Sequence, residues 1–161
     1  MFVTRRSYVL HVTTCNVWSM QIIEAKAMAA QAVGIVQAAP DFVAAALHDG
    51  STLDRWNPAI RVIAMRAPGE YAIKAHGLSG RLSYHRSSTS SGVTMQLVVP
   101  GLTEEGSWTL EPSLFGTRVE HSIQWKGPLA HLIGSGEMRH VPALRIARLR
   151  DWVLLQAGVT A

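Results

Sequence analysis

The chain has 161 residues, 48% of them hydrophobic and 16% charged, which suits one domain with a sizeable core and excludes a disordered chain. Fifteen Lys and Arg against eleven Asp and Glu leave a formal charge of +4. No stretch of about 18 residues is free of charged or strongly polar side chains, so a membrane-spanning helix is excluded, and the single Cys15 can form neither an internal disulfide nor a cysteine zinc site.

Residues 1–29 read as an N-terminal extension and 30–161 as the folded domain. Thr4-Arg5-Arg6-Ser7-Tyr8-Val9-Leu10 resembles a twin-arginine export signal, with Ala-rich 25–32 as a cleavage region. His11, Thr13, Thr14 and Asn16 interrupt the apolar stretch that such a signal needs. The competing reading is a start at Met20 or Met28, and a cytoplasmic location is the expectation.

Ala32-Val33-Gly34-Ile35-Val36-Gln37 reads as a strand. Ala39-Pro40-Asp41 then opens a helix, with Pro in the first turn and Asp beside it to suit the helix dipole. Asp49-Gly50 ends that helix, residues 51–56 form a second short one, and Asn57-Pro58 stops it. Six period-2 segments follow at about 59–65, 70–76, 80–86, 93–99, 105–111 and 117–126, separated by turn signals. The last segment, from Gly127-Pro128 to about Gln156, is helical. Gly134, Gly136 and Pro142 break up its first half, so continuity is expected from about 142 onward.

The turns suggest a register. Pairing 113 with 116 sets Trp108 opposite His121 and Leu110 opposite Val119. Pairing 86 with 93 sets Tyr84 opposite Met95 and Leu82 opposite Leu97. Pairing 75 with 80 sets Ile73 opposite Leu82 and Tyr71 opposite Tyr84, and pairing 65 with 70 sets Val62 opposite Ile73 and Ala64 opposite Tyr71. These choices agree on one apolar face, which a slip of one residue would scramble. Besides the residues just named, that face takes Ile60, Ala75 and Ile123, while Arg61, Lys74, Glu111, Glu120 and their neighbours stand on the wet side. The result is an antiparallel sheet with one solvated face, and the C-terminal helix is the natural cover for the other.

The order of elements resembles the START-like, helix-grip fold. Ala38-Ala39-Pro40-Asp41-Phe42-Val43 resembles the opening of the first helix in the SRPBCC superfamily, which includes polyketide cyclase/dehydrase-like and lipid-transfer proteins. Leu53-Asp54-Arg55-Trp56-Asn57-Pro58 resembles its "WnP" segment. Trp108 to Pro112, Gly116 to Val119 and Gly127 to Ala130 resemble its final hairpin and the start of its last helix. The resemblance implies an α+β helix-grip domain: a curved seven-stranded sheet around a long C-terminal helix, two short helices after strand 1, and a tunnel between sheet and helix for a small hydrophobic ligand.

On the predicted inner face His121 is the most informative polar group, a candidate to orient a ligand or to act as acid or base near neutral pH. The bland alternative is a core histidine satisfied by a backbone carbonyl. Trp108, Tyr71 and Tyr84 join it as candidate ligand contacts, with Met95, Leu97, Ile73 and Leu82 as apolar wall and Ile146 and Leu149 from the helix. Trp56, by the resemblance, stands at the cavity mouth, and Trp125 caps one end. No inner carboxylate is expected, since Glu111 and Glu120 point outward, so paired-acid hydrolysis is not expected. Arg139, Arg145, Arg148 and Arg150, with no acid among residues 138–150, read as a solvated helix face, the alternative being contact with an anionic partner or a ligand carboxylate. No metal-ligand spacing occurs among the histidines, and no cofactor, metal or nucleic-acid partner is expected. Residues 87–91 and the Gly-rich start of the last helix are candidate gates.

The functional expectation is binding or transport of a small lipid-, polyketide- or aromatic-like molecule, with a homodimer left open. Two alternatives remain: a cyclase or dehydratase using His121 and a tyrosine, and a protein-interaction module with a filled core.

Overall fold

The computed structural model describes residues 27–87 and 92–158. The twin-arginine stretch, the start at Met20 and the proposed gate at 88–91 lie outside the described residues. Strand β1 (Met28–Val36) is followed by α1 (Pro40–His48), a 3-10 turn (Gly50–Thr52) and α2 (Leu53–Trp56). Strands β2 (Ile60–Ala67), β3 (Glu70–Ala75), β4 (Leu78–Arg86), β5 (Val93–Val99), β6 (Leu102–Ser113) and β7 (Gly116–Lys126) lead to α3 (Pro128–Gln156). The seven strands form one antiparallel sheet in the order β1-β7-β6-β5-β4-β3-β2. Each hairpin therefore lies beside its neighbour in sequence, and β1 closes onto the last strand.

The register agrees with expectation where the turns are regular. Trp108 faces His121 and Leu110 faces Val119; Tyr84 faces Met95 and Leu82 faces Leu97. Between β3 and β4 the pairing is displaced by two residues, with Tyr71 opposite Leu82 and Ile73 opposite Gly80. The cause is a tighter turn than the expected Gly77-Leu78-Ser79. His76 (φ 48°) and Gly77 (φ 85°) form a two-residue hairpin loop with both residues left-handed. A shift of two leaves the parity unchanged, so Tyr71, Ile73 and Ala75 still face inward and are buried. Between β2 and β3 the register shifts at Val62/Ala64 and again at Met65/Ala67. Ala64 is therefore opposite Ala72 and exposed, not opposite Tyr71 on the inner face. An extra residue at such a bulge turns the rest of the strand relative to its partner.

The C-terminal helix also departs from expectation. Its break lies at Gly134 alone (φ 85°, ψ 160°), a conformation that only glycine adopts freely. Beyond it the helix runs through Gly136 and Pro142 to Gln156. Pro142 forgoes one backbone hydrogen bond but is itself buried, so the helix is continuous from about 135 rather than 142. Met138, Pro142, Arg145, Ile146, Leu149 and Val153 form its buried stripe. Strand β1 approaches this stripe at Gly34, where a Cβ would stand 2.6 Å from Ile146 Cγ2. Glycine is needed there because strand and helix meet without room for a side chain.

The core falls into two apolar clusters. The larger joins α1, α2 and the inner sheet face to Ile146, Leu149 and Val153. The smaller gathers Ile123, Trp125, Ala130 and Met138 around the start of α3. Leu102 packs against both.

Candidate functional site

Along β7 the alternation sends Thr117, Val119, His121, Ile123 and Trp125 inward, and all are buried. Along β6 it sends Glu104, Trp108 and Leu110 inward. His121 is fully buried and stacks flat on Trp108, with ring centroids 3.6 Å apart and planes at 7°. Trp56 meets Trp108 edge-on, at 5.5 Å and 89°. The His121 Nδ1–H donates to the Ser107 carbonyl at 2.9 Å. That bond leaves Nε2 with its lone pair, which faces Arg145 Nη1 at 3.4 Å and accepts from it. Burial, and then the Arg145 charge, push the His121 pKa down to about 3 against the raising effect of the Ser107 bond. His121 is thus neutral at physiological pH with both nitrogens engaged, and the acid–base role considered for it has no free nitrogen to use.

The second polar element was missed in the sequence. Glu104 is buried on the inner face, which overturns the expectation that no carboxylate points inward. Its Oε1 accepts from Arg145 Nη1 at 2.6 Å and its Oε2 from Arg145 Nη2 at 3.1 Å, a bidentate pair. Trp125 Nε1–H donates to Oε2 at 2.6 Å. Arg145 is correspondingly buried, so the arginine cluster does not form one solvated face. The structure divides it: Arg139 donates to the Ser135 carbonyl, Arg150 pairs with Asp151, Arg145 enters the core, and Arg148 reaches a cavity. The signal for Glu104 was available, because 104, 106, 108 and 110 share parity. Starting β6 at 105 rather than 102 hid it.

That cavity has a volume of about 690 Å³, within the ordinary range for small-ligand sites, and lies where the two apolar clusters part. Ile60, Leu97, Leu102, Trp125, Val141 and Leu144 supply its apolar wall. Asn57, Glu104 and Arg145 are the buried polar groups on it. Arg61, Lys74, His76 and Arg148 are also among its lining residues.

The expected contact residues are brought together, but mostly elsewhere. His121, Trp108, Tyr71, Tyr84, Met95 and Ile73 are all buried, as are Leu82, Trp56, Ile146 and Leu149, and they compose packed core. Of the expected contacts only Leu97 lies on the cavity wall. Trp56 is not at the mouth: it is 1% exposed and packed on Trp108, while its neighbour Asn57 reaches the cavity. Trp125 does border the cavity, and Glu104 holds its ring. Tyr71 lies against Gly50, where a Cβ would be 2.7 Å from the ring. The Tyr84 hydroxyl is buried without a partner, and burial, with Tyr71 and Asp49, raises its pKa. Trp56 Nε1, Trp108 Nε1 and Asn57 Nδ2 are likewise buried and unpartnered.

Glu104 accepts three hydrogen bonds and both ring nitrogens of His121 are engaged, so neither side chain has a free atom with which to exchange a proton. Arg145 Nη1 serves both Glu104 and His121, Nη2 serves Glu104, and Asn57 Nδ2 is buried without a partner. Among the described residues no group of three His, Cys, Asp or Glu gathers at metal-holding distance, and no helix is long and apolar enough to cross a membrane.

No known family model and no curated protein matches the sequence. Solved structures do resemble the fold. A START superfamily protein from Mycobacterium smegmatis is 12% identical, with a TM-score of 0.65 over 80% of this chain and 99% of that one. Norcoclaurine synthase from Thalictrum flavum is 12% identical, with a TM-score of 0.61 over 93% and 98%. The Zhui aromatase/cyclase from Streptomyces sp. R1128 is 13% identical, with a TM-score of 0.54 over 83% and 94%. Identities this low speak to the fold and to nothing finer.

Proposed function

We propose that this chain, whose fold is the START-like helix grip, binds a small hydrophobic molecule in the cavity between sheet and α3. The fold is the one that the Ala38–Val43 and Leu53–Pro58 segments led us to expect. The observation that carries the binding reading is the cavity itself: about 690 Å³, walled by Ile60, Leu97, Leu102, Trp125, Val141 and Leu144, with a few buried hydrogen-bonding groups on it. Apolar walls supply affinity and the sparse polar groups supply orientation. At about 25 cal/mol per Å², burying about 250 Å² of ligand surface contributes about 6 kcal/mol, which bounds this term at a dissociation constant of about 30 μM, and the cost of association weakens it further. The solved enzymes with this fold keep the cyclase alternative in view, but His121 has no free nitrogen with which to serve it.

The test uses N-phenyl-1-naphthylamine, an uncharged dye that brightens in apolar surroundings. Saturable binding to the full chain is expected, weakened tenfold or more in Val141→Trp, which fills the cavity from α3. Circular dichroism confirms that the variant folds. Absence of saturable binding by the folded wild-type chain, or unchanged binding by folded Val141→Trp, refutes the assignment.

A further inference from the structure

The formal surplus of positive charge is unevenly placed on the outer face of the sheet, the one turned away from α3. On β6 and β7 the charges are matched: Glu105 pairs with Lys126, and Glu111 and Glu120 pair with Arg118. Strands β2, β3 and β4 differ. Lys74 alternates with the buried Ile73 and Ala75, and Arg61 stands directly opposite it, so both point outward. Arg81, beside the buried Leu82, stands opposite Ala72, the residue before Lys74 on that outer face. Arg66 joins them because of the bulge at Val62/Ala64. Unbroken alternation from Arg61 would send Met65 outward and Arg66 inward. The added residue reverses this, so that Met65 stands opposite the inward Tyr71 and Arg66 turns to the outer side. All four cations are exposed, and among the described residues no ion pair engages any of them. Glu70, the one acidic residue in these three strands, stands opposite Ser83 and makes no ion pair either. Like charges directly opposite across two strands are destabilising, and an anion laid against Arg61 and Lys74 offsets that cost.

We propose that the outer face of β2, β3 and β4 docks the protein onto an anionic lipid bilayer, with Arg61, Arg66, Lys74 and Arg81 among the head groups. Charge alone would suit a nucleic acid equally well, and two observations favour the bilayer. Ile63 shares with Ala64 the place opposite Ala72, which sets it on the outer face between Arg61 and Arg66, and it is 53% exposed. An apolar side chain flanked by cations suits the boundary between head groups and acyl chains. The tyrosines of these strands, Tyr71 and Tyr84, are buried on the other face and offer no ring for base stacking. The inference concerns the side of the sheet away from the cavity and does not depend on the binding assignment above.

The experiment sediments the full chain with vesicles of phosphatidylcholine alone, or of phosphatidylcholine with about 30% phosphatidylserine. Binding to the mixed vesicles is expected to be about tenfold tighter or more, an advantage that shrinks as sodium chloride is raised. Each cation near such a surface is worth about fivefold, so Arg61→Gln/Lys74→Gln/Arg81→Gln abolishes the advantage. Arg55→Gln/Arg139→Gln/Arg150→Gln removes the same charge elsewhere and retains it. Ile63→Ser weakens vesicle binding about threefold with the charge unchanged. Circular dichroism confirms that each variant folds. Equal binding to the two kinds of vesicle, equal loss in the two triple variants, or wild-type binding by Ile63→Ser overturns the proposal. Tighter binding to duplex DNA than to the mixed vesicles at the same salt also overturns it and assigns the face to nucleic acid. None of these results bears on dye binding in the cavity, so the two assignments fail separately.

Discussion

The Glu104–Arg145 pair offers the sharpest check on how the grip is held together. Arg145→Met keeps the length and apolar stem of the side chain and deletes the charge. In the folded chain the two side chains are only 3% and 8% exposed, with contacts of 2.6 and 3.1 Å. At about 3 Å and an effective dielectric constant of about 20 their attraction is about 5 kcal/mol. Deleting the cation leaves a buried carboxylate with Trp125 Nε1 as its remaining donor, a change that costs about 3–5 kcal/mol. For a chain of this length the melting temperature falls by about 12 °C. Glu104→Gln/Arg145→Met removes both charges while retaining an acceptor for Trp125, and it recovers at least half of the loss. Thermal and urea unfolding of the two variants measure this. A cost below about 1 kcal/mol for Arg145→Met, or a double variant no more stable than the single, refutes the claim that the pair is desolvated and mutually dependent.

Acid should weaken the fold through His121. Its pKa is about 3 in the folded chain and near 6.5 unfolded, so the neutral ring contributes fully above about pH 6.5. That contribution is lost as pH falls toward 3, at up to about 1.4 kcal/mol per pH unit, because the unfolded chain takes up the proton first. His48 is also held down, by burial and then by Arg86, and shifts stability with the same sign. Urea midpoints at pH 7.5 and 5.0 should therefore differ less in His121→Gln than in the wild-type chain, and an identical difference removes His121 from the account. At the β1–α3 crossing, Gly34→Ala places a methyl 2.6 Å from Ile146 Cγ2 and should cost about 1–3 kcal/mol. Combining it with Ile146→Ala relieves the clash, so the two losses are less than additive in urea titrations; strict additivity shows that the contact is not what excludes a side chain there.

Much of the fold was legible because it rests on local chemistry. The Pro40 helix start, the Asn57-Pro58 stop and the turn at 113–116 are short-range signals, and strand parity carries each one across a hairpin. The β3–β4 register is displaced by two because His76 and Gly77 are both left-handed and close a two-residue turn, where a longer turn through Gly77-Leu78-Ser79 is the expectation. The bulges in β2 were invisible for a related reason: Ala64 is apolar, and an alternating pattern gives no sign of an added residue. The apolar and aromatic residues expected on the inner face of β3 to β7 are buried there, but Glu104 and Arg145 were not among the inner residues expected, and burial does not distinguish residues packed against one another from those around a hollow.

The order of polar and apolar residues thus determined a sheet with one greasy face and a helix to cover it, since period-2 and helical spacing can each bury only one side. Where covering is complete and where it is not was decided by tertiary packing. Trp108 stacks on His121 and meets Trp56 edge-on within the larger packed region, while the two apolar clusters part near Leu102 and leave the cavity. Glu104 and Arg145 are 41 residues apart. Strand parity alone points Glu104 inward, but a charge enters a core only with its partner, and that partnership exists only once α3 lies across the sheet.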